Sequence, residues 1–227
     1  MKTNLKSYLI LAILTLFPLC LRANWNSFVD NYNNKDYGRG TTTWRISTIA
    51  RWSFFANQNG VLVYDGFAWQ HFYLNNRSEA RSVAVMKDKG RVYVGGENEF
   101  GYLEPMETGE LKYHCISDKL ESTYRTLGNV FDIYEADGVI YYRCDNYILI
   151  SSEEKYRLVK SPNKIFASVM SDMMLYVATD EGVLMLMGNK LVPINDENHL
   201  LHGKRINAMI KLGKGILITT FSDGLYY

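Results

Sequence analysis

Arg91-Val92-Tyr93-Val94-Gly95-Gly96-Glu97-Asn98-Glu99-Phe100-Gly101-Tyr102 reads as a strand, a polar turn and a second strand. β-Branched and aromatic residues fill both flanks, and the Gly-Gly-Glu-Asn-Glu break between them has no helical spacing. Outward from it the pattern repeats. Upstream, Lys89-Gly90 makes a turn after the apolar run Arg81-Ser-Val-Ala-Val, and downstream Leu111–Cys115 supplies a fourth strand. Residues 81–115 are thus one unit of four short strands.

Four more units follow the same order. Their first strands open at Arg45, Asn129, Lys164 and Arg205, each a polar residue ahead of an apolar run. Second strands are read at Ser53–Ala56, Val139–Arg143, Leu175–Ala178 and Ile216–Thr219. Third strands lie at Gly60–Tyr64, Tyr147–Ser151, Gly182–Leu186 and Gly224–Tyr227, and fourth strands at Trp69–Tyr73, Tyr156–Val159 and Lys190–Ile194. The spacings between successive first strands are 36, 48, 35 and 41 residues. Four strands in roughly 40–50 residues is the period of a β-propeller blade. The expectation is an all-β chain of about five four-stranded antiparallel blades over 45–227. The fifth unit reaches only its third strand, so the chain is read as a partial propeller from a longer protein. The rival is a five-bladed ring closed by the 24–44 segment, through Trp25–Tyr32.

Composition agrees. The 227 residues carry 25 Lys+Arg against 24 Asp+Glu, a net charge of +1, which excludes a global field favouring nucleic acid or an anionic surface. With 47 % hydrophobic and 22 % charged residues the chain is neither disordered nor coiled-coil. Seventeen Tyr and 17 Gly beside only four Pro lean toward β-structure. Three Cys exclude a disulfide mini-scaffold. Two of them, Cys115 and Cys144, are read as buried free thiols rather than a bridge.

Lys2 and Lys6 precede an uncharged apolar run from Tyr8 to Leu21, too short for a span of about 20 residues. A basic start, a short apolar stretch and Ala23 read as a signal peptide, 1–23, cut after Ala23. An uncleaved anchor and a lipid anchor on Cys20 are the weaker alternatives. The rest is therefore expected to be exported.

Asn59-Gly60-Val61-Leu62-Val63-Tyr64-Asp65-Gly66-Phe67-Ala68-Trp69, together with the 91–102 stretch, resembles the two-component regulator propeller repeat. Asp180-Glu181-Gly182-Val183 and Ser222-Asp223-Gly224-Leu225-Tyr226 echo the same turn, and the resemblance covers about 40–227. It is found in exported sensor regions of Bacteroidetes hybrid two-component and helix-turn-helix regulators. The resemblance implies a periplasmic sensor tethered to the inner membrane, a homodimer in the intact receptor, and a histidine kinase or DNA-binding output. The chain given has no second propeller, Tyr-rich sandwich, membrane helix or output domain, so it would supply sensing alone. The ligand expected is an oligosaccharide, an acidic one among the candidates, and no nucleic acid.

Motifs for catalysis do not stand out: there is no nucleophile elbow, phosphate loop or His-Glu-x-x-His. No enzyme activity, cofactor or metal site is expected. His199 and His202 are read as loop histidines, Glu97 and Glu99 as a solvated acidic turn, and Asp65-Gly66 as a structural hairpin turn. The rivals to a sensor are an exported scaffold for protein interaction and, less favoured, a propeller-based carbohydrate-active enzyme. One recurrence points to binding. Arg45, Arg81, Asn129, Lys164 and Arg205 enter the first strand of each unit, and innermost strands surround a propeller's channel. These five, with Trp44 as a stacking surface, are the candidate ligand-binding residues.

Overall fold

The computed structural model describes residues 31–38, 40–86, 90–152, 155–194 and 200–227. The leader, most of Trp25–Tyr32 and His199 lie outside the described residues. Asn34–Tyr227 form one compact unit. It opens with a single helical turn, α1 (Asn34–Tyr37), and its other described residues are strands and loops apart from two short 3-10 turns at 117–119 and 122–124.

Blade one contains β1 (Thr43–Ile49), β2 (Trp52–Asn57), β3 (Gly60–Tyr64) and β4 (Trp69–Phe72). Blade two contains β5 (Ala80–Met86), β6 (Arg91–Gly96), β7 (Phe100–Pro105) and β8 (Leu111–Cys115). Blade three contains β9 (Asp132–Ala136), β10 (Val139–Arg143), β11 (Tyr147–Ser152) and β12 (Lys155–Lys160). Blade four contains β13 (Ala167–Ser171), β14 (Met174–Thr179), β15 (Gly182–Met187) and β16 (Lys190–Pro193). Blade five contains β17 (Ile206–Leu212), β18 (Gly215–Thr220) and β19 (Leu225–Tyr226). Each blade is an antiparallel meander in sequence order, four-stranded in the first four and three-stranded in the fifth.

Strands sandwiched between neighbouring blades are buried on both faces, which is why they read as nearly continuous apolar runs. In β6, Val92 and Val94 pack with Phe54, Val61 and Val63 of blade one, while Tyr93 turns to Ile133, Ile140 and Tyr142 of blade three. Ile148, Ile150, Leu175, Val177 and Leu184 join blades three and four. Val169, Val183, Ile206, Met209 and Ile218 join four and five. Full burial of such a side chain contributes about 1.5–3 kcal/mol, so a blade acquires stability only by stacking. Val83, Val92 and Val94 are buried as the pattern predicts, whereas Val85 and Tyr102 stay partly exposed.

Turn chemistry follows the sequence. Asp137 and Gly138 both have positive φ, +51° and +74°, as a two-residue hairpin turn demands. Asp65 Oδ1 accepts the backbone N–H groups of Phe67 and Ala68, each at 2.8 Å, and these bonds hold its carboxyl below the usual range. The acidic turn differs from expectation. Glu97 is exposed, but Glu99 is only 2 % exposed. Its carboxylate accepts the N–H groups of Asn75 and Asn76 at 2.6 and 2.8 Å and the Tyr113 hydroxyl at 3.1 Å. Glu99 therefore clamps the connection between blades one and two, and backbone donors replace the water it gives up.

Blade five leaves Ile210, Leu212, Phe221, Leu225 and Tyr227 half or more exposed. Large apolar side chains left exposed on and beside an outer sheet promote association. The isolated chain is expected to sediment as oligomers at micromolar concentration, and the double change Phe221→Ser with Leu225→Ser to shift it toward monomer. An isolated chain that sediments as one monomeric species would contradict this.

Candidate functional site

Strand register decides which residues share a level around the inner strands. A bulge leaves Trp44 unpaired in β1, Arg81 in β5 and Asn207 in β17. Phe131 and Phe166 occupy the same place, each donating its N–H to the carbonyl that opposes the next residue, Arg143 and Ala178. Measured from that landmark, the five candidate residues fall at three levels. Arg45 lies one past the bulge, Arg81 is the bulged residue, and Asn129, Lys164 and Arg205 lie two before it. A bulge inserts a residue without changing the apolar look of the strand, so counting from the first polar residue loses register. The five do not form one ring.

Their partners also differ. Arg45 pairs with Asp132, Arg81 with Glu79 at 2.9 Å and Lys164 with Asp145 at 3.0 Å. Arg205 lies over the Phe221 ring at 5.1 Å. The backbone of Asn129 bridges to Glu97. Trp44 is 45 % exposed, with the Arg81 guanidinium 4.2 Å from its ring centroid. Acidic neighbours thus neutralise three of the four cations.

The level of Arg45 is the informative one. Its counterparts are Ser82, Asp132, Ala167 and Ala208. Asp132 is 4 % exposed on the first strand of blade three. Its Oδ2 accepts Arg143 Nε at 2.9 Å, Arg143 Nη2 at 2.5 Å and the Ser168 hydroxyl at 2.7 Å. Its Oδ1 accepts Arg45 from blade one. Tyr134 donates its hydroxyl to the Ser168 carbonyl at 2.8 Å. One carboxylate therefore ties together blades one, three and four. Arg143 is buried too; desolvation pulls its pKa down to about 10, which leaves it charged at neutral pH. A forked guanidinium on a carboxylate is among the stronger charge-assisted contacts.

Beside this cluster lies a cavity of about 440 Å³, lined by residues that include Arg45, Asp132, Tyr134, Ser168, Asn207 and Lys211. Of the sequence candidates only Arg45 lines it. Asp132, Arg143 and Ser168 escape the sequence reading, although a signal exists: a lone Asp within the apolar run Phe131-Asp132-Ile133, opposite an Arg at the end of the next strand. Cys115 and Cys144 are free thiols, and burial pushes Cys144 up to about 12. His202 is exposed.

No family model matches the chain, and no curated protein matches it either. Among solved structures it is similar to the extracellular domain of the hybrid two component system BT4673 from B. thetaiotaomicron. That likeness has 15 % identity and a TM-score of 0.57, covering 81 % of this chain and 26 % of that one. The computationally designed protein Ika8 is similar at 12 % identity and a TM-score of 0.60, over 83 % of this chain and 58 % of that one. PorZ, a surface component of the type-IX secretion system of Porphyromonas gingivalis, is similar at 13 % identity and 0.51, over 81 % and 24 %. The chain thus spans about a quarter of the BT4673 domain. These likenesses establish the fold: antiparallel β-propeller blades.

Proposed function

We propose that this chain is the ligand-sensing propeller part of an exported, membrane-spanning regulator that responds to a glycan. The observation that carries this reading is the cavity at the inner strands, where Arg45, held by Asp132, and Lys211, held by Asp172, meet hydroxyls from Tyr134 and Ser168 over a buried ion pair. Arg forks suit carboxylate or sulfate groups, and hydroxyls suit sugar rings. The fold shared with the BT4673 extracellular domain supports a periplasmic sensor, and the repeat resemblance supports a homodimer whose arrangement the ligand biases. Among the described residues lining the cavity Asp132 is the one carboxylate, whereas glycoside hydrolysis commonly uses two. That supports binding over catalysis. The exposed apolar face of blade five favours a second reading, an exported scaffold that holds another protein.

The test is binding of acidic oligosaccharides to the full receptor, followed by titration calorimetry. Arg45→Gln is expected to weaken binding at least tenfold, or about 1.4 kcal/mol. Arg81→Gln, at another level and outside the cavity, is expected to leave it within twofold. Absence of glycan binding, or equal loss from both substitutions, would overturn the assignment.

A further inference from the structure

The contact between blades two and three is built differently from its neighbours. Blades three and four meet chiefly through Ile, Leu and Val. Between two and three, Tyr93, Tyr102, Tyr142 and Tyr156 gather instead, and a cavity of about 440 Å³ opens among them. Its volume lies in the range of small-molecule sites.

Two polar features of this cavity lack protein partners. Tyr142 is 0 % exposed, yet among the described residues its hydroxyl has no hydrogen-bond partner. A buried hydroxyl left unpaired is destabilising, because it has given up water for no partner. Burial, with the Tyr93 and Tyr156 phenols nearby, pushes its pKa far above the usual phenol range, so it remains an O–H donor. At the rim Lys119 is exposed and, among the described residues, has no acidic partner. The other cation, Arg91, is already held: Nε donates to Glu104 at 2.9 Å and the guanidinium lies 4.1 Å from the Tyr102 centroid. Ile116, Leu120 and Ile140 supply an apolar wall, and Ser151 a further hydroxyl.

We propose that this inter-blade cavity is a second binding site, separate from the inner-strand cavity, for a single-ring sugar acid. The ring's C–H face packs on the aliphatic wall and tyrosine rings. Its hydroxyls satisfy Tyr142 and Ser151, and its carboxylate meets Lys119. Several hydroxyl partners in one small space suit a polyol ring better than a phenol, which has one hydroxyl to offer. The site stands independently of the glycan reading for the inner-strand cavity, since the two share no lining residue.

The experiment is ligand-observed NMR and calorimetry on the full chain with D-glucuronate, and with D-glucose and 4-hydroxybenzoate as controls. Saturable glucuronate binding is expected, at least tenfold tighter than either control. Tyr142→Phe removes one oxygen from a site that the ring still fills, and Lys119→Gln alters an exposed residue. Each is expected to weaken glucuronate at least fivefold while far-UV dichroism stays unchanged. Arg45→Gln, in the other cavity, is expected to leave glucuronate binding here within twofold, so failure of one site is distinguishable from failure of the other. Absence of saturable binding overturns the proposal, as does binding indifferent to both substitutions. Preference for 4-hydroxybenzoate over glucuronate overturns the sugar-acid assignment. A Tyr142→Phe protein that gains thermal stability with unchanged binding would mark the hydroxyl as an unfilled structural void and overturn it too.

Discussion

Asp132→Ala is expected to destabilise the protein by about 3–5 kcal/mol, the range for removing one partner of a buried ion pair. The loss arises from what stays behind. Arg143 would keep its charge in a buried position with no carboxylate, left with a 3.4 Å contact to the Ile165 carbonyl and the Phe131 ring 4.6 Å away, and Ser168 would lose the Asp132 acceptor. Arg45, about half exposed, would turn to water at small cost. Urea unfolding followed by tryptophan fluorescence measures the effect. The paired replacement of Asp132 by Leu and Arg143 by Met is expected to recover most of the loss, because an apolar pair of similar volume avoids two desolvations. A single-mutant loss under 1 kcal/mol would mean that the cluster does not hold the blades.

The second large effect is expected at Gly60, inside the string that carries the repeat resemblance. Gly60 has φ +118°, and a Cβ there would lie 2.3 Å from the Phe72 carbonyl oxygen on β4. Gly60→Ala combines backbone strain of about 1–3 kcal/mol with a clash that only strand movement relieves, itself about 1–3 kcal/mol. A total of about 2–6 kcal/mol is expected. Gly66→Ala is the internal control: φ is +95°, but no atom lies within 4 Å of the added carbon. It should cost about 1–3 kcal/mol, the strain alone, without the clash. Equal losses in thermal unfolding at the two sites would show that the β3–β4 approach is not what requires glycine at 60.

The blades were legible in the sequence because each is a local object. Turns such as Asp137-Gly138 fix hairpins within a few residues, and the apolar runs between them are long enough to count. The level of a residue around the inner strands was not legible, because it depends on a bulge. Nothing in Arg45-Ile-Ser or Arg81-Ser-Val distinguishes a residue past the bulge from the bulged one. Burial of Glu99 was hidden for another reason. Its stabilising donors are the backbone N–H groups of Asn75 and Asn76, more than 20 residues away, and backbone groups leave no mark in composition. Asp132 stood in plain view as a charge in an apolar strand, but its meaning comes from Arg143, Ser168 and Arg45 on three other strands.

The bridge from Arg45 to Asp132 joins blades that are not neighbours, across 87 residues of chain. In a stack where each member touches only the next, a blade can open by breaking the contacts on either side, and the disturbance ends there. Here blade two lies within the segment that the bridge closes. The chain from 45 to 132 behaves as a noncovalent hoop, strung through blade two and fastened at the inner strands. A ligand that competes with Asp132 for the Arg45 guanidinium would unfasten the hoop without touching blade two at all.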